Sequence, residues 1–205
     1  MSNSGVFDVN DIRYLMDYQQ WPTPGELQLI QTQTASDVAT VDFTDIQENI
    51  YNVHLLTVND LQVNSAATNA RTVVTRLSND GGSSFISGST AYERAYRGYY
   101  SSVGAGSDVK STGISYMNIT GAQTSLSAAS NANCYIYLYN LGDNTKYSFS
   151  TIHSSGWMKQ GYGIFHFGMA IYPVAEIING IRLLESTGTD NINSGTFSLY
   201  GIRFS

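Results

Sequence analysis

The feature that most constrains this chain is a period-two rhythm that begins near residue 134 and runs to its end. Short apolar–polar alternations recur roughly every 10 to 15 residues, and a turn signal separates each from the next. In segment 134–141, Tyr135, Tyr137, Tyr139 and Leu141 share one side, while Cys134, Ile136 and Leu138 share the other. Strand side chains alternate between two faces, so neither face of this strand carries a charge. A strand of that kind is covered on both sides, either inside a sandwich or between subunits.

The same alternation continues downstream. Tyr147, Phe149 and Thr151 fall on one face, then Phe165, Phe167, Met169 and Ile171, before Pro173 ends that strand. Segment 176–184 reads as a strand with Ile177, Ile181 and Leu183 facing in. At the end, Phe197 and Leu199 are in step but Ile202 and Phe204 are not, so a bulge at Tyr200-Gly201 is expected. Upstream, 27–34 and 35–43 read as strands. Segment 50–63 sets Tyr51, Val53 and Leu55 against His54, Leu56 and Val58. Segment 71–77 stops at the turn signal Asn79-Asp-Gly-Gly82, and 92–100 puts Tyr92, Arg94, Tyr96, Gly98 and Tyr100 on one face. Residues 101–132, mostly Ser, Gly, Ala, Thr and Asn, read as a long loop with a short strand near Ile114, Tyr116 and Met117. The expectation is an all-β domain over 26–205, a jelly-roll-like two-sheet sandwich of about nine or ten strands.

Residues 1–25 differ. Val9, Ile12, Leu15 and Met16 recur at helical spacing, and Trp21-Pro-Thr-Pro-Gly25 then breaks the helix. This reads as a short N-terminal attachment arm. Tyr14, Leu15, Met16, Tyr18 and Trp21 give it apolar surface either for its own domain or for docking on a partner protein.

Composition narrows the function. Only 13% of the 205 residues are charged and the net charge is −6, with no cluster of Lys and Arg. Phosphate neutralisation needs several cations on one face, so nucleic acid is not an expected partner. No run approaches the ~18 apolar residues of a membrane span, and the first residues show no signal peptide. Membrane insertion is therefore not expected, and synthesis in a cytoplasm is. The single cysteine, Cys134, sits mid-strand and reads as a small buried apolar residue.

Catalytic patterns are sparse, and we expect neither an enzyme nor a cofactor. His153 and His166 lie on successive strands and can meet in space, but the sequence supplies no third metal ligand, so no metal is expected. Glu93 sits among Tyr92, Arg94, Tyr96 and Arg97, where a carboxylate either pairs with arginine or serves sugar cleavage. Asp42, Asp45 and Glu48 form either a solvated loop or an oxygen-rich ion site. The tyrosines carry more weight. Tyr92, Tyr96 and Tyr100, with Tyr135, Tyr137 and Tyr139, form ladders suited to subunit packing or to a glycan or receptor platform.

Three stretches carry a resemblance: Asp42-Phe-Thr-Asp-Ile-Gln-Glu-Asn-Ile-Tyr-Asn-Val-His-Leu55, Arg76-Leu-Ser-Asn-Asp-Gly-Gly-Ser-Ser-Phe85 and Ser194-Gly-Thr-Phe-Ser-Leu-Tyr-Gly-Ile202. Together they resemble β-sandwich virion surface proteins of tailed bacteriophages, of the tail-fibre tip or capsid-decoration type. The resemblance implies a virion structural protein, made in the host cytoplasm, that assembles as a trimer with other virion proteins and meets a host surface glycan or receptor. Loops 79–89 and 101–133 would face outward. A capsid decoration or head-fibre role, and a carbohydrate-active enzyme or free lectin, are the alternatives.

Overall fold

The computed structural model describes residues 10, 13, 26–63, 71–102, 106–118, 130–158 and 161–202. The arm residues Tyr14, Leu15, Met16, Tyr18 and Trp21 lie outside the described residues. Among the described residues twelve strands follow one another: β1 (Leu27–Val38), β2 (Thr40–Phe43), β3 (Val53–Val63), β4 (Val73–Ser78), β5 (Tyr92–Tyr100), β6 (Ser107–Ile114), β7 (Met117–Asn118), β8 (Ala132–Tyr139), β9 (Ser148–Met158), β10 (Tyr162–Tyr172), β11 (Gly180–Glu185) and β12 (Ile192–Ile202). The count exceeds the expected nine or ten because part of the Ser/Gly-rich stretch is regular. β6 and β7 pair there with β5 and β4. Low side-chain volume hides such strands from a hydrophobic pattern.

The strands form an antiparallel sandwich of two sheets, ordered β1-β12-β3-β8-β9-β10-β5-β6 and β2-β11-β4-β7. The first strand pairs with the last and the second with the second-last. β3 then joins β12, and β4 joins β11. Closing β8 onto β3 and β7 onto β4 completes the eight-strand jelly-roll connectivity. The hairpins β5–β6 and β9–β10 are insertions, and both extend the larger sheet beyond β8.

The core lies between the sheets. Leu56, Val58, Ile136, Leu138, Phe197 and Leu199 of the larger sheet meet Val41, Phe43, Val73, Leu77, Ile181 and Leu183 of the smaller. Burying each such side chain stabilises the fold by about 1.5–3 kcal/mol. Tyr92 belongs to this core and is fully buried. Its hydroxyl accepts from the Leu77 amide at 2.9 Å and donates to the Ile86 carbonyl at 3.1 Å. Burial pushes its pKa up to about 12. Cys134 is buried as expected, which pushes its thiol pKa up.

Three local expectations need correction. The ladder passes Tyr200-Gly201 without interruption, pairing them with Leu55 and His54. The β1–β12 irregularity lies instead in β1, between Leu29 and Gln31. No bulge is needed because Gly201 continues the inward parity. A Cβ there would lie 2.2 Å from the Tyr51 ring, which fills the space a side chain would take. The 176–184 segment becomes regular only at Gly180, so Ile178 is buried and Ile177 exposed. Segments 27–34 and 35–43 divide differently: β1 runs to Val38, and the chain crosses to the smaller sheet at Ala39.

Candidate functional site: the outer face of the larger sheet

The registers fix which side chains share the outer face. One row crosses the whole sheet: Thr32, Ser198, Thr57, Tyr135, His153, Phe167, Arg97 and Asp108. A second row holds Tyr200, Leu55, Tyr137, Thr151, Met169, Ala95 and Lys110. Flanking rows carry Ile202, Val53, Tyr139, Phe149, Ile171 and Glu93 on one side, and Asn133, Ser155, Phe165 and Tyr99 on the other. From β1 to β10 these rows contain no Asp, Glu, Lys or Arg. The charges begin at β5 and β6, where Arg97 Nε lies 3.3 Å from Asp108.

The rings in these rows touch. Tyr139 stacks on Tyr137 at 6.4 Å between centroids, and Tyr137 meets Tyr135 edge-on at 6.2 Å. Tyr135 stacks on His153 at 5.0 Å, and its hydroxyl lies 2.9 Å from His153 Nδ1. His153 meets Phe165 at 6.0 Å and Phe167 at 6.2 Å. Phe167 stacks on Tyr99, and the Arg97 guanidinium lies 5.3 Å from the Tyr99 ring. The chain of contacts thus spans β8, β9, β10 and β5. Aromatic pairs at these separations each add about 0.5–1.5 kcal/mol beyond their buried area, so the face is pre-organised.

It is also open. Tyr99, Tyr135, Trp157, Phe165, Phe167 and Met169 are each between 39% and 47% exposed, which together leaves about 500 Å² of mainly apolar surface in water. Monomeric soluble proteins rarely expose a larger contiguous apolar patch without using it.

The structure divides the tyrosines read from sequence. Tyr135, Tyr137 and Tyr139 lie on this face. Tyr92, Tyr96 and Tyr100 do share one side of β5, but it is the inner side: Tyr92 is core, Tyr96 packs on His166 at 5.1 Å, and Tyr100 packs on Tyr162 at 5.7 Å. Their place on the platform passes to Tyr99, Phe165, Phe167 and His153. The alternation of Phe165, Phe167 and Met169 was legible, but nothing in it said which way that side faced.

The two histidines do not meet. His153 is on the outer face, and His166, paired in register with Ser154, is on the inner face. His166 is 4% exposed and neither ring nitrogen has a hydrogen-bond partner. Burial pushes its pKa down to about 4. His54 is buried as well and donates through Nε2 to the Ile46 carbonyl at 2.8 Å. Its desolvation lowers its pKa against that bond's opposing effect.

The remaining candidates also resolve. Asp42 accepts both Nε and Nη2 of Arg182, at 2.7 and 2.6 Å, on the outer side of the smaller sheet. It is engaged there and not gathered with Asp45 and Glu48. Among the described residues no group of three or more His, Cys, Asp or Glu comes together. Glu93 pairs in register with Ile171 at the margin of the aromatic face. In loop 79–89, the Asp80 carboxylate accepts from the Ser84 hydroxyl at 2.6 Å, the Ser84 amide at 2.9 Å and the Ser78 hydroxyl at 2.7 Å. These bonds, led by that of the Ser84 hydroxyl, hold its pKa at about 2 and fix the turn.

Compared with known proteins, the chain matches no family model, no curated protein and no solved structure.

Proposed function

We propose that this chain is a non-enzymatic structural protein of a phage virion surface, assembled as a trimer through the outer face of its larger sheet. The observation that carries the reading is that face: four registered rows of side chains without Asp, Glu, Lys or Arg across six adjacent strands, bearing a connected set of half-exposed rings. A depleted charge content and enriched aromatics mark the buried centre of protein interfaces. Three such faces about a threefold axis cover one another. The resemblance of the closing Phe197-Ser-Leu-Tyr-Gly-Ile202 to virion sandwich proteins supplies the setting, and residues 1–25 would attach the assembly to the particle. A tail-fibre or receptor-binding place is preferred over capsid decoration, because the fixed 79–84 turn offers a rigid platform for recognition.

Light scattering tests the assembly. The wild-type chain should show about three times its monomer mass of 22.4 kDa. Phe167→Asp, which places a carboxylate beside His153, should give a folded monomer with unchanged far-ultraviolet circular dichroism. A wild-type monomer at micromolar concentration refutes the reading.

A second reading has its own observation. A groove of about 520 Å³ beside Tyr135 and Phe165 is rimmed by Asn59, Asn133, Ser155 and Thr57. Apolar rings with uncharged donors and acceptors suit a neutral saccharide. Calorimetric titration with neutral oligosaccharides, and loss of any heat in Tyr135→Ala, separates this reading from self-assembly.

A further inference from the structure

We infer that the end of the sandwich where connections 44–52 and 140–147 meet is a binding site for a neutral saccharide, held by the Glu48 carboxylate and the amides of Asn49, Asn52 and Asn144. The inference does not rest on the assembly reading, because the site is built within one chain and lies beyond the strand ends. It is also separate from the groove beside Tyr135.

Topology builds the cavity. β3 begins at Val53, β8 ends at Tyr139, and these two residues pair, so the two connections leave the sheet side by side. Each is anchored in the core, one by Ile46 and the other by Leu141, both fully buried. The Ile46 carbonyl accepts from His54 Nε2 and the Leu141 carbonyl from the Ile178 amide, each at 2.8 Å. The connections then lock to each other. The Asn140 amide donates to the Asn52 carbonyl at 3.4 Å. Gly142 lies so close to Glu48 that a Cβ on it would be 2.1 Å from the Glu48 carbonyl oxygen. Gln47 and Asn140 hold φ angles of 54° and 63°, a backbone conformation that persists where the surrounding structure imposes it. Between the two connections is a cavity of about 300 Å³, at the small end of ligand sites.

The lining selects the ligand. Asp143 is engaged: one oxygen accepts from the Thr145 amide and hydroxyl at 2.9 and 2.6 Å, and the other meets Lys146 Nζ at 2.7 Å. Among the described residues, the side chains of Glu48, Asn49, Asn52 and Asn144 have no partner within the chain. A sugar hydroxyl both donates and accepts. An amide offers an acceptor and two donors, and a carboxylate accepts from two hydroxyls, so this set answers adjacent hydroxyls on one ring. Bonds to Glu48 would be charge-assisted and therefore the stronger ones. Other ligand classes fit less well. Glu48 is the one unengaged carboxylate in the lining, which is too few for a bare divalent cation. An acidic sugar would meet the uncompensated Glu48 charge. An apolar ligand would find little exposed apolar surface besides Ile50.

Amide-resolved nuclear magnetic resonance of the full chain tests this, with methyl glycosides of glucose, galactose, mannose and their N-acetylamino derivatives added to millimolar concentration. At least one should shift the amides of 48–52 and 140–146. Glu48→Ala and Asn144→Ala, each with unchanged circular dichroism, should weaken that binding roughly tenfold or more. The proposal is overturned if no saccharide shifts these amides, or if neither substitution changes the affinity. It is overturned as well if the shifts fall at 133–135 and 153–155, which would put the sugar in the groove beside Tyr135. Calcium chloride alone is the control: a response of the same amides to calcium that no sugar reproduces would make this a cation site and sink the proposal. Light scattering reads the assembly separately, so a failure of the trimer leaves this outcome untouched.

Discussion

Replacing His166 with leucine should abolish a pH dependence of stability that the wild-type fold carries. His166 is buried against Gly98 on the inner face: a Cβ on that glycine would lie 2.2 Å from both Cδ2 and Nε2 of the imidazole. Neither nitrogen has a partner, so protonation in the folded state brings a charge into a site with nothing to receive it. The folded pKa is about 4, against an ordinary 6.5. A depressed histidine pKa means that the unfolded chain binds the proton more tightly. Stability is therefore full above about pH 6.5 and declines as pH falls toward 4. Between pH 7.5 and 4.5 that decline amounts to roughly 2–3 kcal/mol from this one group. Urea unfolding of wild type and His166→Leu at pH 7.5, 6.0, 5.0 and 4.5 isolates it, because the other titrating groups are common to both and cancel in the difference. The leucine variant should be close to wild type at pH 7.5, and its advantage should grow by roughly 2–3 kcal/mol at pH 4.5. A constant difference across the series refutes the reasoning, since it would mean that the imidazole finds a proton as readily inside the fold as outside. Gly98→Ala provides an independent check on the packing. It should cost about 1–3 kcal/mol with His166 in place and much less with His166→Ser, because the clash is with the ring.

Three further outcomes are expected. Gly201→Ala should destabilise the fold by about 2 kcal/mol by driving a methyl into the Tyr51 ring, and thermal unfolding of the Gly201→Ala/Tyr51→Ala pair should show the two changes to be non-additive. Burial alone would raise the Glu185 pKa, but hydrogen bonds from Thr187, Ser186 and Thr189 outweigh it and lower the pKa. Glu185→Gln should therefore cost about 2 kcal/mol at neutral pH. The gap to wild type should close as pH falls below the carboxylate range, as denaturant titration at several pH values would show. Cys134 should resist maleimide labelling in the native protein and label fully in urea; rapid native labelling would contradict its place between the sheets.

The strands were legible because period two is a backbone property and survives any choice of side chain. The alternations of Tyr135–Tyr139 and Phe165–Ile171 both proved to be strand faces. What could not be read was which face is inside. That inference normally rests on polar residues marking the solvent side, and here the marker is missing on both sides of β8 and misleading on β5. The aromatics Tyr92, Tyr96 and Tyr100 face inward there, and the strand's outer side carries Ala95, Arg97 and Tyr99. The Tyr200-Gly201 expectation failed for a related reason. It assumed that every inward position needs a large side chain, whereas Gly201 is inward and Tyr51 supplies the volume. Long-range pairings such as Thr32 with Ser198 are set by sheet closure, and no local pattern encodes them.

The inserted hairpin β9–β10 departs from the usual division of a sandwich on its outer side. Antiparallel sheets ordinarily bury the large apolar side chains and leave the polar ones in water. On β9 the buried inner positions include Ser148, Ser150 and Ser154, while Phe149, His153 and Trp157 lie on the outer side. On β10 the inner side holds Ile164, His166, Gly168, Ala170 and Tyr172, and the outer side holds Phe165, Phe167, Met169 and Ile171. The same rings on the inner side would have stabilised the monomer by about 1.5–3 kcal/mol each. Placed outside and half-exposed, they gain the rest of that energy only when something covers them. The hairpin adds Ile152, Met158, Ile164 and Tyr172 to the core, while its outward rings stay half-exposed.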